Sequence, residues 1–148
     1  MKYSSKLSDA VHIMTYILIN AGADLSSAAI ADSIHTNPGF VRQIMMKLRR
    51  SGLMASVAGH AKPSLSRQAD CITLLDIYKA VEGDKPLLHL DTHTNPECGI
   101  GINIQSALQG YYDEIQKTAE EKMKSITLQD IIDAYHTITN ESHNNVYN

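Results

Sequence analysis

A helix with both of its ends marked in the sequence lies between Asn37 and Leu53. Asn37 is a favourable N-cap, and Pro38 suits the first helical position because its missing N–H would have no partner there. Gly52 suits the position just after the helix, where the backbone often turns left-handed. The apolar residues of this segment fall at helical spacing and predict a narrow stripe that packs on a core: Val41, Ile44 and Leu48.

The charges around this helix are unevenly distributed. The chain has a formal net charge of −3, yet residues 33–69 contain six basic residues and no Asp or Glu, whereas residues 70–148 contain thirteen acidic residues and five lysines. A purely basic block in an acidic chain is typical of a surface that contacts nucleic-acid phosphates. Its basic residues are Arg42, Lys47, Arg49, Arg50, Lys62 and Arg67.

Two shorter helices are predicted before the basic one. The first covers about residues 5–21 and is ended by Gly22. Ser26 caps the second, which reaches about residue 34. Only residues 35 and 36 then connect it to the basic helix. Two short helices, a tight turn and a basic second helix are typical of a helix-turn-helix.

The periodicity changes after the basic helix. Residues 53–57 and 64–66 are predicted to form two short strands, and the loop between them carries Lys62. A hairpin that follows a helix-turn-helix is interpreted as a wing, which contacts the DNA backbone or the minor groove. A plain exposed hairpin is the alternative interpretation.

Two later helices are predicted to start in the same way. Thr73 and Asp76 have the spacing of a capping box, at the start of a helix that reaches about Glu82. The run at residues 72–77 returns almost unchanged at residues 126–131. We interpret this repeat as two similar helix starts rather than as a duplicated domain.

The longest predicted helix covers residues 103–124, and its apolar positions step by three and four, close to a heptad pattern. We interpret it as a dimerisation helix; packing back on its own domain is the alternative. The sequence therefore predicts a mainly α fold. Residues 1–83 form a winged helix-turn-helix DNA-binding domain, 84–102 an effector or sensor loop, 103–139 the dimerisation helix and a C-terminal helix, and 140–148 a disordered tail.

Several other classes of protein do not fit the composition. No run of about 18 apolar residues could cross a membrane, and the N-terminus lacks the layout of a signal peptide. Two distant cysteines suit a reduced, cytoplasmic setting. We find no glycine-rich phosphate loop, Ser-centred elbow or HExxH pair, so we expect no enzyme activity.

With these elements the chain resembles the Rrf-two family of bacterial winged-helix repressors, which includes IscR, NsrR and CymR. The resemblance covers about residues 3–132, and its most specific part is the run ITLLDIYKAVEG at residues 72–83, supported by KLRRSGL at residues 47–53. The runs TNP at residues 36–38 and CGIGINI at residues 98–104 resemble a YwnA-like subgroup. The resemblance implies a homodimer that binds a palindromic operator through two recognition helices.

Two departures from the family pattern matter. Family wings carry a double glycine and an aromatic residue, whereas residues 59–65 of this chain read GHAKPSL. Cluster-binding members carry three cysteines in the loop before the long helix, where this chain has only Cys98. Because an iron–sulfur cluster uses three or four protein ligands, we expect no such cluster and no other cofactor.

The predicted function is that of a homodimeric repressor of transcription that binds double-stranded DNA. The alternative is a winged-helix protein–protein interaction module. The residues predicted to lie at or near base edges are Asn37, Gly39, Phe40, Arg42 and Gln43. The residues predicted to contact phosphates are Lys47, Arg49, Arg50, Lys62 and Arg67.

Cys98 is the candidate sensor, because the positive end of the following helix lowers a thiol pKa and an oxidant or electrophile would then modify it. A buried apolar role is the alternative for Cys98. A metal site formed by His89, His93 and Cys98, or control by a partner protein, are further hypotheses; we expect no metal site. Cys71 is predicted to belong to the core.

Overall fold

The computed structural model describes residues 3–55 and 62–146, with side chains described as far as residue 141. The described residues form six α-helices and one 3₁₀ turn. The helices are α1 (Lys6–Ile19), α2 (Ser27–Ile34), α3 (Pro38–Arg50), α4 (Leu74–Glu82), α5 (Gly99–Lys124) and α6 (Leu128–Val146), and the 3₁₀ turn is Ala69–Cys71. The predicted mainly α class is thus confirmed. Among these described helices, none is long and apolar enough to span a bilayer.

One hydrophobic core holds α1 to α4 together and also receives the start of α6. Burial of these aliphatic side chains is the main favourable term in the fold. Within α1, Ile13 is fully buried, whereas Leu18 near its C-terminal end is 37% exposed. The largest fully buried side chains are Ile13, Met14, Ile30, Ile44, Leu48, Leu53, Met54, Ile72, Ile77, Leu128, Val41 and Val81.

The connection between α2 and α3 has the predicted tight form. Ser26 caps α2 by accepting a hydrogen bond from the Ala29 N–H at 3.2 Å. His35 ends α2 with a left-handed backbone at φ 60°, and the Thr36 N–H donates to the Ala31 carbonyl at 2.9 Å. This turn of three residues sets α3 beside α2, as in a helix-turn-helix.

The base of the predicted wing is present as one antiparallel bridge between Met54 and Leu65. The Ala55 N–H donates to the Ser64 carbonyl at 3.0 Å, and the Ser66 N–H donates to the Leu53 carbonyl at 3.1 Å. Residues 56–61, where the sequence predicts the rest of the first strand and the tip, lie outside the described residues.

The two similar helix starts are confirmed, and they also pair with each other. Thr73 with Asp76 and Thr127 with Asp130 both form reciprocal side-chain bonds of 2.8–3.1 Å. Thr73 and Thr127 form an antiparallel bridge, in which the Leu74 N–H donates to the Ile126 carbonyl and the Leu128 N–H to the Ile72 carbonyl, both at 2.8 Å. This pairing fixes the start of α6 to the N-terminal domain.

The C-terminal half departs from the prediction at two boundaries. The long helix begins at Gly99 rather than at residue 103, because the two glycines of its first turn are helical and Cys98 is the N-cap residue. The prediction of a disordered tail is wrong for residues 140–146, since α6 continues to Val146. Once α6 has started at its capping box, each further residue adds a hydrogen bond without a new nucleation cost, so polar composition alone does not end it.

Candidate nucleic-acid interface

The geometry of α3 follows from its capped ends and its buried stripe. The Phe40 N–H donates to Asn37 Oδ1 at 2.8 Å, which confirms the predicted N-cap. Gly52 has φ +73°, a backbone conformation that glycine adopts without strain. One face of the helix is anchored in the core by Val41, Ile44, Met45 and Leu48.

The opposite face of α3 is exposed and carries the chemistry of a base-reading surface. Arg42, Gln43, Met46 and Arg50 are all exposed, and their spacing of one, three or four residues places them on one side of the helix. Arg and Gln side chains can bond base edges in pairs, and an apolar side chain can contact a thymine methyl group. Met46, 42% exposed, was missing from the predicted contacts. Its spacing of four residues from Arg42 was the signal that could have found it.

Three of the predicted base-contact residues lie together at the start of α3. A Cβ atom built on Gly39 would lie 3.1 Å from Asn37 Oδ1 and 3.9 Å from an Nη of Arg42, so these residues are neighbours. The ring of Phe40 is only partly exposed and packs against the core. The beginning of α3 therefore presents Arg42 and Gln43 outward, while Asn37 and Phe40 hold the helix in place.

Some residues predicted to contact phosphates are exposed, whereas others already contact neighbouring groups of the protein. Arg50 is exposed, whereas Arg49 is half-buried, with its Nε atom buried and without a hydrogen-bond partner among the described residues. Lys47 is also half-buried, and its Nζ lies 3.4 Å from the Val81 carbonyl oxygen of α4. An Nη of Arg67 lies 4.0 Å from Asp76.

Lys62 lies at the base of the wing, beside the turn between α1 and α2. Its Nζ is 3.4 Å from the Ala23 carbonyl oxygen. The Ser26 N–H and hydroxyl lower the pKa of the nearby Asp24 carboxyl, and the Lys62 charge lowers it further. The Lys62 contact thus holds the base of the wing close to the turn between α1 and α2.

Cys98 is exposed and occupies the N-cap position of α5. The backbone N–H groups of Gly101 and Ile100 hold the pKa of its thiol below the usual value, because they stabilise the thiolate. A Cβ atom on Gly101 would lie 2.7 Å from the Asn95 carbonyl oxygen, so the loop packs closely on the first turn of α5.

The prediction that Cys71 belongs to the core is wrong, since this thiol is exposed. The 3₁₀ turn buries its first residue, Ala69, and the next residue after the turn, Ile72, whereas Cys71 between them faces outward. The neighbouring Asp70 raises the pKa of the Cys71 thiol through a side-chain hydrogen bond and its negative charge. The two thiols therefore lie in opposite electrostatic settings.

His12 and His93 lie in different surroundings. His12 Nε2 lies 2.8 Å from Ser33 Oγ and links α1 to α2, in keeping with a structural role. His93 Nδ1 lies 3.7 Å from Asp91 Oδ1. Within residues 3–55 and 62–146, no three His, Cys, Asp or Glu side chains are grouped closely enough to hold a metal ion.

Comparison with known proteins gives consistent matches. Residues 3–134 match the model of the Rrf2 (Rrf-two) family, described as "Iron-dependent Transcriptional regulator". YwnA of Bacillus subtilis (strain 168), a candidate HTH-type transcriptional regulator, is 34% identical over 129 residues, which cover 87% of this chain and 96% of YwnA. YffB of Lactococcus lactis, with a similar description, is 24% identical over 139 residues, covering 90% of this chain and 88% of YffB.

Solved structures share the fold. The crystal structure of a candidate DNA-binding protein is 32% identical, with a TM-score of 0.69, and the match covers 86% of this chain and 99% of that chain. The structure of CymR from B. subtilis is 23% identical, with a TM-score of 0.64 and coverage of 90% and 98%. The winged-helix class predicted from the sequence is thereby confirmed. The family and YwnA are both described as transcriptional regulators, which confirms the predicted class of protein, a transcriptional regulator rather than an enzyme.

The family description implies iron, but the donor set of this chain does not fit an iron–sulfur cluster. Such a cluster uses three or four protein ligands, mostly thiolates. The chain has two cysteines, one at the N-cap of α5 and the other in the 3₁₀ turn at residues 69–71. A cluster held by this chain alone would therefore lack the thiolates that it needs.

Proposed function

The chain belongs to the Rrf2 family of transcriptional regulators, and we propose that it is a cytoplasmic, homodimeric repressor that binds a palindromic operator through α3 of each copy. The observation that carries this proposal is the exposed face of α3. It presents Arg42, Gln43, Met46 and Arg50 within a 37-residue block, residues 33–69, that contains no acidic residue.

In this proposal the start of α3 enters the DNA major groove, as recognition helices do. Arg42 bonds the O6 and N7 atoms of a guanine, Gln43 bonds an adenine, and Met46 contacts a thymine methyl group. Arg50, Lys62 and Arg67 contact phosphates on either side, and the half-buried Arg49 adds positive potential to the same face. Asn37 and Gly39 lie at the closest approach of the backbone to the bases.

The long helix α5 supports the dimer. It contains 26 residues, about 39 Å of helix, and none of them is buried within the chain. A helix with many exposed apolar residues needs a covering surface, and a second copy would supply a matching one around a two-fold axis. The exposed apolar residues of α5 are Ile100, Ile102, Ile104, Tyr111 and Ile115.

Cys98 supports a thiol switch of this repressor. The thiolate that Gly101 and Ile100 stabilise attacks a peroxide oxygen, breaks the O–O bond and forms a sulfenic acid, while the other oxygen leaves as water after protonation. A sulfenic acid no longer satisfies the N–H groups of the first turn as a thiolate does. The start of α5, and with it the dimer, would then be rearranged.

The testing experiment measures binding of the purified protein to its own upstream DNA, reduced and after hydrogen peroxide, beside Cys98→Ser and the matched control Cys71→Ser. We expect oxidation to abolish binding in wild type and in Cys71→Ser, but not in Cys98→Ser. Equal binding in all samples would refute the thiol switch and direct attention to a metal or a partner protein. Absence of binding by the reduced protein at low salt would refute the proposed function at that site.

A salt titration separates DNA binding from the alternative role as a protein–protein interaction module. Phosphate contacts release counterions, so the logarithm of the affinity falls linearly with the logarithm of the salt concentration. We expect a steep slope for this protein. An affinity for DNA that barely changes between about 50 and 200 mM salt would favour the protein-binding role.

A further inference from the structure

A polar contact cluster joins α4 to α5 at one place, formed by Tyr78, Lys79, Gln116 and Glu120; we name it the α4–α5 joint. Lys79 Nζ lies 2.7 Å from Glu120 Oε1. The Gln116 side-chain N–H group donates to Glu120 Oε1 at 2.9 Å and to the Tyr78 hydroxyl at 3.4 Å. The pairing raises the pKa of Lys79 and lowers that of Glu120, so both are charged at neutral pH.

The joint also holds the loop at residues 83–98, which ends at Cys98. The hydroxyl of the buried Tyr78 donates to the Lys85 carbonyl at 2.8 Å. The Leu87 N–H donates to Gln116 Oε1 at 2.8 Å, so both ends of the Gln116 amide are occupied. Four residues further along the loop, the Asp91 N–H donates to Gln105 Oε1 of α5 at 3.1 Å. The loop is thus attached to α5 by two glutamines.

The same part of α4 is attached to α3. Lys47 Nζ lies 3.4 Å from the carbonyl oxygen of Val81, two residues beyond Lys79. This carbonyl belongs to the last turn of α4, whose unpaired C=O groups and negative dipole end favour a cation. A phosphate-contacting role would instead need the Lys47 ammonium to face the DNA. Four successive residues of α4, 78–81, therefore contain its contacts with the loop, with α5 and with the recognition helix.

We propose that the α4–α5 joint positions α3 relative to α5 and couples the loop to α3. In this proposal Lys47 is a positioning residue rather than a phosphate contact. This inference rests on the proposed function, in which α5 holds two copies of α3 at a fixed separation. Moving the loop changes the contacts of Gln116, which alters the joint and hence the angle at which α3 meets the operator. Residues along such coupling routes change the coupling between two sites by about two- to thirtyfold.

A purely structural role predicts a different result. The Lys79–Glu120 pair is partly exposed, and such pairs contribute little to stability, so its variants remain folded. A structural role would change only the melting temperature. A positioning role also changes the preference for half-site spacing, which a small loss of stability would not do.

The first test uses the free chain and measures amide hydrogen exchange by mass spectrometry in Gln116→Ala. Its matched control is Gln109→Ala, because the Gln109 side chain donates to Asp113 of its own helix. We expect faster exchange at residues 85–91 and in the last turn of α3 for Gln116→Ala, and no change for the control. Faster exchange confined to α5 and the loop would overturn the coupling to α3. This measurement needs no DNA, so it is informative even if the proposed function fails.

The second test measures affinity for two half-sites at the natural spacing and with one base pair added or removed. Lys79→Glu and Glu120→Lys should each lower the affinity at the natural spacing by about two- to thirtyfold, and the double variant, with the charges exchanged, should restore it. Lys47→Met should weaken binding without changing the salt slope, whereas loss of a phosphate contact lowers that slope by about one per half-site. Unchanged affinity, no restoration in the double variant, or a reduced slope for Lys47→Met would overturn the proposal.

Discussion

Replacing Arg42 by alanine separates base reading from general attraction to DNA. Arg42 is exposed, and Arg and Ala both favour helices, so the melting temperature should change little. A bidentate contact with a base contributes about 1–3 kcal/mol of discrimination. A homodimer on a palindrome makes this contact twice, and the two sites lie far enough apart for the losses to add.

The expected loss on the operator is therefore about 2–6 kcal/mol for the dimer. Because each 1.4 kcal/mol is a factor of ten, the dissociation constant should rise by roughly 30-fold to 10⁴-fold. An operator with one half-site destroyed should show about half of this free-energy change. The preference at one base position in each half-site should also become weaker.

Fluorescence anisotropy with the upstream DNA, single-base variants of it and random DNA measures these quantities. The matched control is Arg50→Ala, which lies at the other end of the same exposed face and is proposed to contact a phosphate. That variant should lose affinity for all DNA about equally and lower the salt slope by about one per half-site. An equal loss of affinity on operator and random DNA for Arg42→Ala would refute its role in base reading and assign it to phosphate.

Three further predictions concern the wing, the core and the ion pair. Lys62→Ala should weaken binding to every DNA sequence about equally in the same anisotropy assay, and no effect would mean that the base of the wing does not contact DNA. Leu128→Ala should lower the free energy of unfolding, measured in urea, by about 2–5 kcal/mol, because this side chain is fully buried where α6 joins the core; a loss below 1 kcal/mol would contradict that packing. The Lys79–Glu120 contact lowers the pKa of Glu120 in the folded protein. The contribution of this contact to stability is therefore present above the pKa that Glu has in the unfolded chain, and it is lost as the pH falls through the lower pKa of the folded protein. The difference in urea midpoint between wild type and Glu120→Gln should therefore disappear on acidification, and a difference that grows as the pH falls would reverse the assigned sign.

Local chemistry made the N-terminal half predictable. The ends of α3 depend on Asn37, Pro38 and Gly52, and each of these residues acts on backbone within a few positions of itself. The capping boxes at Thr73 and Thr127 follow the same rule, since donor and acceptor lie three residues apart. Such features are contained in a short window of sequence.

Predictions failed where the outcome depended on neighbours that are distant in the chain or on helix propagation. Cys71 follows Asp70 and precedes the buried Ile72, and only the direction of the 3₁₀ turn decides that its thiol faces solvent. Gly99 and Gly101 favoured a loop, yet α5 includes them and packs its first turn against Asn95. Residues 140–146 lack an apolar stripe but continue a helix that was started elsewhere.

The sequence alone determined the two ends of α3, the acid-free basic block and the exposed face of α3, because capping, charge and helical spacing are local properties. The tertiary structure alone decided how these parts are connected. Thr73 pairs with Thr127 across 54 residues, and Lys47 and Glu120 contact Val81 and Lys79 of α4, which no spacing in the sequence indicates. The physical reason is that contacts between distant segments depend on how the whole core packs, whereas a helix end is stabilised by atoms within one turn.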